Sequence, residues 1–228
     1  MFRRRRREEE QTPPAEQEPA RPERESGPWD VEEAYPERER VDLGGLHLPV
    51  GPGFEVQLNV ADDQIVGAVI LMNESALQVG AFAAPKRSGI WDEVRADMKR
   101  ELAGAGGSAE ETEGPFGIEL AAQVKQQGGT GTQQVRFVGV DGPRWFLRAV
   151  ISGKAAVLDD DAAKAAAKML EDVIRDIVVV RGDQPMAPKE PIELRLPPEA
   201  RQAMEQQTAQ EEPDLNPFER GPEITETR

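Results

Sequence analysis

The sequence predicts an α+β domain: an antiparallel sheet of about six to seven strands with two helices packed on one face. The expected order is βββ-α-βββ-α-β, flanked by disordered N- and C-terminal tails. Three observations predict it. Apolar and polar residues alternate with period two in several segments joined by short turns, which argues for antiparallel pairing. Two longer segments carry apolar residues at helical spacing instead. Aliphatic residues are almost missing from positions 1–40 and from Pro197 onward, which leaves residues 41–196 to build a single core. A hydrophobic content of 38% over 228 residues is low for a wholly globular chain. The deficit falls on the two ends, read as tails at 1–40 and 197–228.

The domain opens near Val41. Residues 46–50 form a short strand ended by Pro49, Gly51 and Pro52. Phe54, Val56, Leu58 and Val60 alternate with Glu55, Gln57 and Asn59, a half-buried strand. After a turn at Asp62 and Asp63, residues 65–72 are almost continuously apolar, which suits a central strand covered on both faces. Residues 76–84 then close an antiparallel meander. Ser88 is the expected cap of a helix to about Ala103, with a stripe of Trp91, Val94, Met98 and Leu102. Asp92 and Glu93 suit its positive end. Ile118, Leu120, Ala122 and Val124 alternate with Glu119, Gln123 and Lys125 in the next strand.

Residues 135–152 read as a β-hairpin. Asp141-Gly142 between two β-prone runs is a strong turn signal. A second helix follows, capped by Asp159, Asp160 or Asp161, with Ala162, Ala166, Met169, Val173 and Ile177 on its expected buried face. Pro188 and Pro191 break the chain before a last short strand at 192–196.

Composition removes several chemistries. There is no cysteine, so disulfides, thiolate catalysis and cysteine metal sites are all excluded. The lone histidine, His47, has no second His or Cys with which to form a dyad, and no G-x-S-x-G elbow accompanies it. No catalytic residue, metal site or cofactor is expected. No apolar run reaches the ~18 residues of a membrane span. The basic start has no apolar segment after it, so it does not read as a secretory signal. The expected location is cytoplasmic.

The net charge is −15, made up of −3 over residues 1–40, −7 over 41–196 and −5 over 197–228. An acidic domain disfavours nucleic acid as a non-specific partner. Arg3 to Arg7 form the one basic run. Glu8, Glu9 and Glu10 offset it within about one Debye length, ~8 Å, which leaves at most weak contact with RNA or anionic lipid.

Other local signals have plain structural explanations. The glycine-rich segment 128–132 lacks the Lys-Ser/Thr ending of a phosphate loop and leads into a strand, not a helix. The acids at 159–161 are explained by capping.

The hairpin carries the candidate binding surface. Alternation puts Trp145, Leu147, Ala149 and Ile151 on a wholly apolar face, expected to pack under the helices. Arg144, Phe146, Arg148 and Val150 take the other face. With a two-residue turn, Val135 pairs with Arg148 and Phe137 sits opposite Phe146. Two phenylalanines would then stand between two arginines ~13 Å apart at ~3.3 Å per residue. Guanidinium groups on aromatic rings with free donors suit carboxylate or phosphate. The structural alternative is that the arginine stems cover the sheet and pair with Glu119 or a neighbouring acid.

Three residues of the tails stand out as docking candidates. Trp29, with Tyr35 nearby, has nothing local to pack against and is expected to dock on the domain or on a partner. Leu215 and Phe218 form an apolar island in the acidic C-terminal stretch, suited to docking in trans or in cis.

Two functional readings follow. The first is a non-enzymatic interaction domain that binds a protein partner through the Arg144/Phe146/Arg148 face, aided by the tails. The second is a small-molecule or nucleotide-binding protein or enzyme, with Arg144 and Arg148 on phosphates and Glu119 in acid–base work.

Four segments together resemble a known family: GPWD around Trp29, DLGGLHLPV at 42–50, GPRWFLRAVISGKAA at 142–156 and VVVRGDQPMAPKEPIELRLP at 178–197. They resemble an actinobacterial family of unknown function, domain-of-unknown-function family 3710, over nearly the whole chain. The family has no assigned catalytic residues, so none carries over. Its genes often lie near those for a deoxyuridine triphosphatase and an OB-fold protein, which implies a link to nucleotide or nucleic-acid metabolism. The element order is also similar to the PsbP/Mog1-like fold, whose members mostly bind partners.

Overall fold

The computed structural model describes residues 25–61, 64–86, 89–125, 131–197 and 200. Within them the chain is α+β, with eleven strands in two sheets and three helices. In order these are β1 (Trp29–Asp30), β2 (Arg40–Asp42), β3 (Leu46–Pro49), β4 (Glu55–Ala61), β5 (Gln64–Met72) and β6 (Ser75–Ala83). Helix α1 (Ile90–Gly104) is followed by β7 (Ser108–Gly114), β8 (Gly117–Lys125), β9 (Thr132–Asp141) and β10 (Trp145–Gly153). The short helix α2 (Lys154–Val157), helix α3 (Asp161–Asp176) and β11 (Val178–Val179) complete the order.

Seven strands form one antiparallel sheet in the order β4-β5-β6-β10-β9-β8-β7. Four short strands form a second, β1-β11-β3-β2, in which β1 runs parallel to β11. Strands β5 and β6 pair from Ala68 with Val79 to Met72 with Ser75, and beyond that they are bridged by a later segment. There Ile192 N donates to Ala81 O, Leu194 N to Ile65 O and Ala83 N to Glu190 O, so the expected last strand serves as a bridge between two others.

The main core lies on one face of the large sheet. Trp145, Leu147, Ala149 and Ile151 are buried there as alternation requires, with Leu77, Ile70, Leu46, Leu170 and Ile174 around them. Buried Asp30 accepts from Trp145 Nε1 at 2.6 Å and so fixes the indole in that core.

Three corrections to the expected fold have clear causes. First, the helices divide between the two faces. Helix α3 covers the Trp145 face, whereas α1 lays Trp91 on the opposite face against Phe146, ring centroids 5.7 Å apart. That second face holds Phe82, Phe137 and Phe146, too much aromatic surface to leave in water, and α1 covers it with Trp91, Val94 and Met98.

Second, α3 is turned by one residue from the expected stripe. Ala163, Ala167, Leu170, Val173 and Ile174 are buried, while Met169 is 48% exposed. With alanines on both sides, the branched side chains of Leu170 and Ile174 decide which face is inside.

Third, residues 25–40 are not a tail in the described structure. Trp29 pairs with Val178 in β1 and is buried, and Arg40 donates to both the carboxylate and the carbonyl of Asp176 at the end of α3. A cation at a helix C-terminus is favoured by the helix dipole. The aromatic expected to find a dock finds it on this domain.

Candidate functional site

The hairpin that carries the candidate surface is shifted by four residues from the expected register. Asp141 pairs with Phe146, Gly139 with Arg148 and Phe137 with Val150. Phe137 therefore does not sit opposite Phe146. Two contacts hold the strands in this register. The Asp141 carboxylate accepts from Trp91 N at 3.4 Å at the start of α1, where the N-cap residue is Gly89 and supplies no side chain. Gly142 lies against the Trp145 indole so closely that an added Cβ would stand 2.0 Å from it. The turn therefore falls two residues later, at Pro143 and Arg144, and Gly142 N donates to Trp145 O across it. A four-residue shift is even, so each side chain keeps its expected face and only its partners change. Burial pushes the Asp141 carboxyl above its usual range, against backbone N–H groups of α1 that pull it down.

The four candidate residues come apart in this register. Arg144 occupies the turn at φ 63. Phe146 is 2% exposed beneath Trp91, unavailable to a partner. Phe137 is half-buried at the edge of the same aromatic cluster. Arg148 alone of the two arginines remains on that sheet face, with its guanidinium 4.9 Å from the centre of the Phe82 ring. Sequence reasoning missed Phe82. Its signal was the alternation of β6, which puts Phe82 on the opposite face from Leu77, Val79 and Ala81.

Helix α1 covers the aromatic cluster, and beside it Arg148 and Phe82 wall a groove of about 160 Å³ on the same face. The floor is nearly bare backbone. An added Cβ on Gly67 would meet Val79 O at 2.7 Å and one on Gly80 would meet Val66 O at 3.2 Å. Asn59 and Gln78 line the groove with amides. Arg148 makes no hydrogen bond or ion pair with any described residue. Burial lowers its pKa, and only the more distant charge of Glu101 opposes that.

The expected partner of the arginines, Glu119, lies on the opposite face. It is 2% exposed and accepts from Arg136 Nε at 3.1 Å and Nη2 at 2.8 Å. Arg136 Nη2 also reaches Glu171 of α3 at 2.9 Å. Gly114 leaves the room Glu119 needs, since a Cβ there would overlap its carboxylate. Burial pushes the Glu119 carboxyl up, the Arg136 charge pulls it back, and Glu171 adds to the rise. Glu119 therefore does not stand beside Arg144 or Arg148 as an acid–base group.

Among the described residues, no cluster of three or more His, Asp or Glu side chains is placed to hold a metal. No described helix is long and apolar enough to cross a membrane. His47 in β3 stands 3.3 Å from Asp42. Asp160 caps α3 through Ala163 N at 2.6 Å, as the acidic run at 159–161 led one to expect. Arg3 to Arg7, Leu215 and Phe218 lie outside the described residues, as do Asp62, Asp63, Ser88, Gly128, Gly129 and Thr130.

Comparison with curated proteins gives no match. Among solved structures, the chain is similar to cyanobacterial PsbP (CyanoP) from Synechocystis sp. PCC 6803 in solution. That likeness has 11% identity and a TM-score of 0.39, and covers 62% of this chain and 91% of the other. A family described as a protein of unknown function, DUF3710, matches residues 27–203, from just before β1 to beyond the last bridge. The chain belongs to that family.

Proposed function

We propose that this chain is a non-catalytic interaction domain that takes an acidic segment of a protein partner on the open part of its large sheet. Arg148 is the anchor. One observation carries the reading: a half-buried guanidinium, stacked on Phe82 in a glycine-floored groove, meets no carboxylate among the described residues. Burying a charge costs free energy unless it is paired. A partner carboxylate in the groove supplies the missing acceptor, in the forked geometry that arginine favours. Asn59 and Gln78 supply amides for a peptide backbone, and the bare floor at Gly67 and Gly80 admits an extended chain close to the sheet.

The test is a peptide array probed with the full chain, in which each acidic peptide is paired with its Asn/Gln counterpart. Arg148→Met keeps the stem over Phe82 and removes the charge. A charge-assisted hydrogen bond contributes ~1.5–3 kcal/mol, so binding to acidic peptides falls by roughly 10- to 100-fold in the variant. Equal binding by wild type and variant, or equal binding of acidic and amidated peptides, refutes the reading.

A further inference from the structure

Arg144 is displaced from the expected surface, and its new position has its own logic. The residue holds φ 63, the left-handed region in which glycine or asparagine is at ease and an arginine is strained. Such placements persist where surrounding structure enforces them, and they cluster at functional sites. The fold gains nothing visible from this side chain. It forms no hydrogen bond or ion pair with any described residue, whereas the neighbouring Trp145 and Asp141 are both tied down.

A second arginine lies against the same cleft. Arg181 follows β11, and with Arg144, Pro143, Val31 and Gly182 it lines a concavity of about 190 Å³. Its Nη1 is held by the carbonyls of Gly182 at 2.8 Å and Gln184 at 2.6 Å, which fixes the guanidinium in advance. Its Nε is buried with no partner. Both arginines line the one cleft, and burial and the like charge of Arg144 lower the Arg181 pKa against the opposing charges of Asp183 and Glu190. Neither forms an ion pair with a described residue, although Asp30, Glu32 and Asp183 line the cleft, Asp30 with its carboxylate on Trp145 Nε1. Those acids also limit what can bind. They disfavour a multiply charged phosphate and leave room for a single carboxylate between the two guanidinium groups.

We propose that Arg144 and Arg181 form a binding site for a small carboxylate molecule at the tip of the β9–β10 hairpin. The site is distinct from the Arg148 groove, since its lining residues are different ones. One carboxylate oxygen faces each guanidinium, and the strained turn at Arg144 is kept because glycine there has no side chain to offer.

The experiment uses the full chain with 15N-labelled arginine, following the side-chain Nε–H signals by NMR at constant ionic strength. Acetate, succinate and inorganic phosphate are titrated separately. Arg144→Gly and Arg144→Asn remove the guanidinium while suiting the positive φ, so both fold. The expected result is a saturable shift of the Arg181 signal with acetate or succinate, weakened at least tenfold in both variants, with no fall in their urea midpoint. A response that is linear in wild type, or unchanged in the variants, overturns the site. A lower urea midpoint in both variants overturns the argument that Arg144 serves a ligand and not the fold. Tighter binding of phosphate than of either carboxylate overturns the ligand class. None of these outcomes bears on Arg148, so this site and the peptide groove stand or fall separately.

Discussion

Replacing Arg136 with methionine removes the one cation between Glu119 and Glu171. Arg136 donates three hydrogen bonds to these carboxylates, at 3.1, 2.8 and 2.9 Å. Glu171 is the more exposed acid, its side chain 14% exposed, and can turn toward water; Glu119 at 2% cannot. The variant therefore leaves an uncompensated buried carboxylate, a loss that typically costs ~3–5 kcal/mol.

That cost depends on pH with a fixed sign. Burial already raises the Glu119 pKa, and loss of Arg136 removes the charge that pulls it back. A carboxyl with a raised folded pKa binds more protons folded than unfolded across the window between the two values. Stability then falls as pH rises through that window, by up to about 1.4 kcal/mol per pH unit. Urea unfolding of wild type and variant at pH 5 and pH 8 measures it. The deficit is expected to be larger at pH 8. The double variant Arg136→Met/Glu119→Leu should recover most of it, because an apolar pair of similar size replaces a buried ion pair at little cost. A single-variant loss below about 1 kcal/mol, or the same loss at both pH values, refutes the reasoning.

Other substitutions separate the remaining contacts by size. Trp91→Ala removes the ring on Phe146 and the 2.7 Å bond from Nε1 to Ile118 O, so urea unfolding should show a loss of ~3–5 kcal/mol; a loss under half of that means α1 is held elsewhere. Deleting the chain through residue 34 removes buried Trp29 and the Asp30–Trp145 bond. A comparable loss of ~3 kcal/mol or more is expected in thermal or urea unfolding, against none for a dispensable tail. Asp160→Ala removes the cap of α3 and should lower the urea midpoint, whereas Asp160→Asn, which keeps a capping oxygen, should not. Lys189→Ala breaks exposed ion pairs with Glu93 and Asp97 and should leave the urea midpoint unchanged; a clear fall would show those pairs to be more than surface contacts.

The residues that sequence alone placed well are those whose environment is set by their own strand or helix. The alternation of Trp145, Leu147, Ala149 and Ile151 needed only a sheet with a core beneath it, and all four are buried. On α1 the spacing placed Trp91, Val94 and Met98 against the aromatic cluster, whereas Leu102 lies outside it and Arg95 is buried instead. What failed depended on a second element. The hairpin register is held by a helix N-terminus that uses Asp141, the very residue expected to make the turn. Glu119 reads as a solvent-facing residue until Arg136 and Glu171 are brought to it. Strand β7, SAEETEG, has no apolar alternation to read, because an edge strand can be specified by backbone pairing alone. Strands β1 and β11 are two residues each, too short to carry any period.

The candidate site divides along the same line. Arg148 was found because alternation assigns its face. Phe82, Gly67 and Gly80 came into the groove from strands far away in sequence.

The parallel pairing of Trp29 with Val178 joins residues 149 positions apart and ties the two ends of the domain to each other. A ribosome makes them in that order. Trp29 and Asp30 leave the exit tunnel with nothing to pair with, and Val178 and Val179 are among the last of the folded residues to follow. The large sheet can assemble from neighbours as it emerges, since most of its pairs are local hairpins. In the small sheet only β2 and β3 are such neighbours, and β11 must reach back to both β1 and β3. Until β11 has been made, the segment around Trp29 lacks the strand it pairs with. Closing that parallel pair joins the first strand of the described domain to its last, and only the bridge at residues 190–195 is made later.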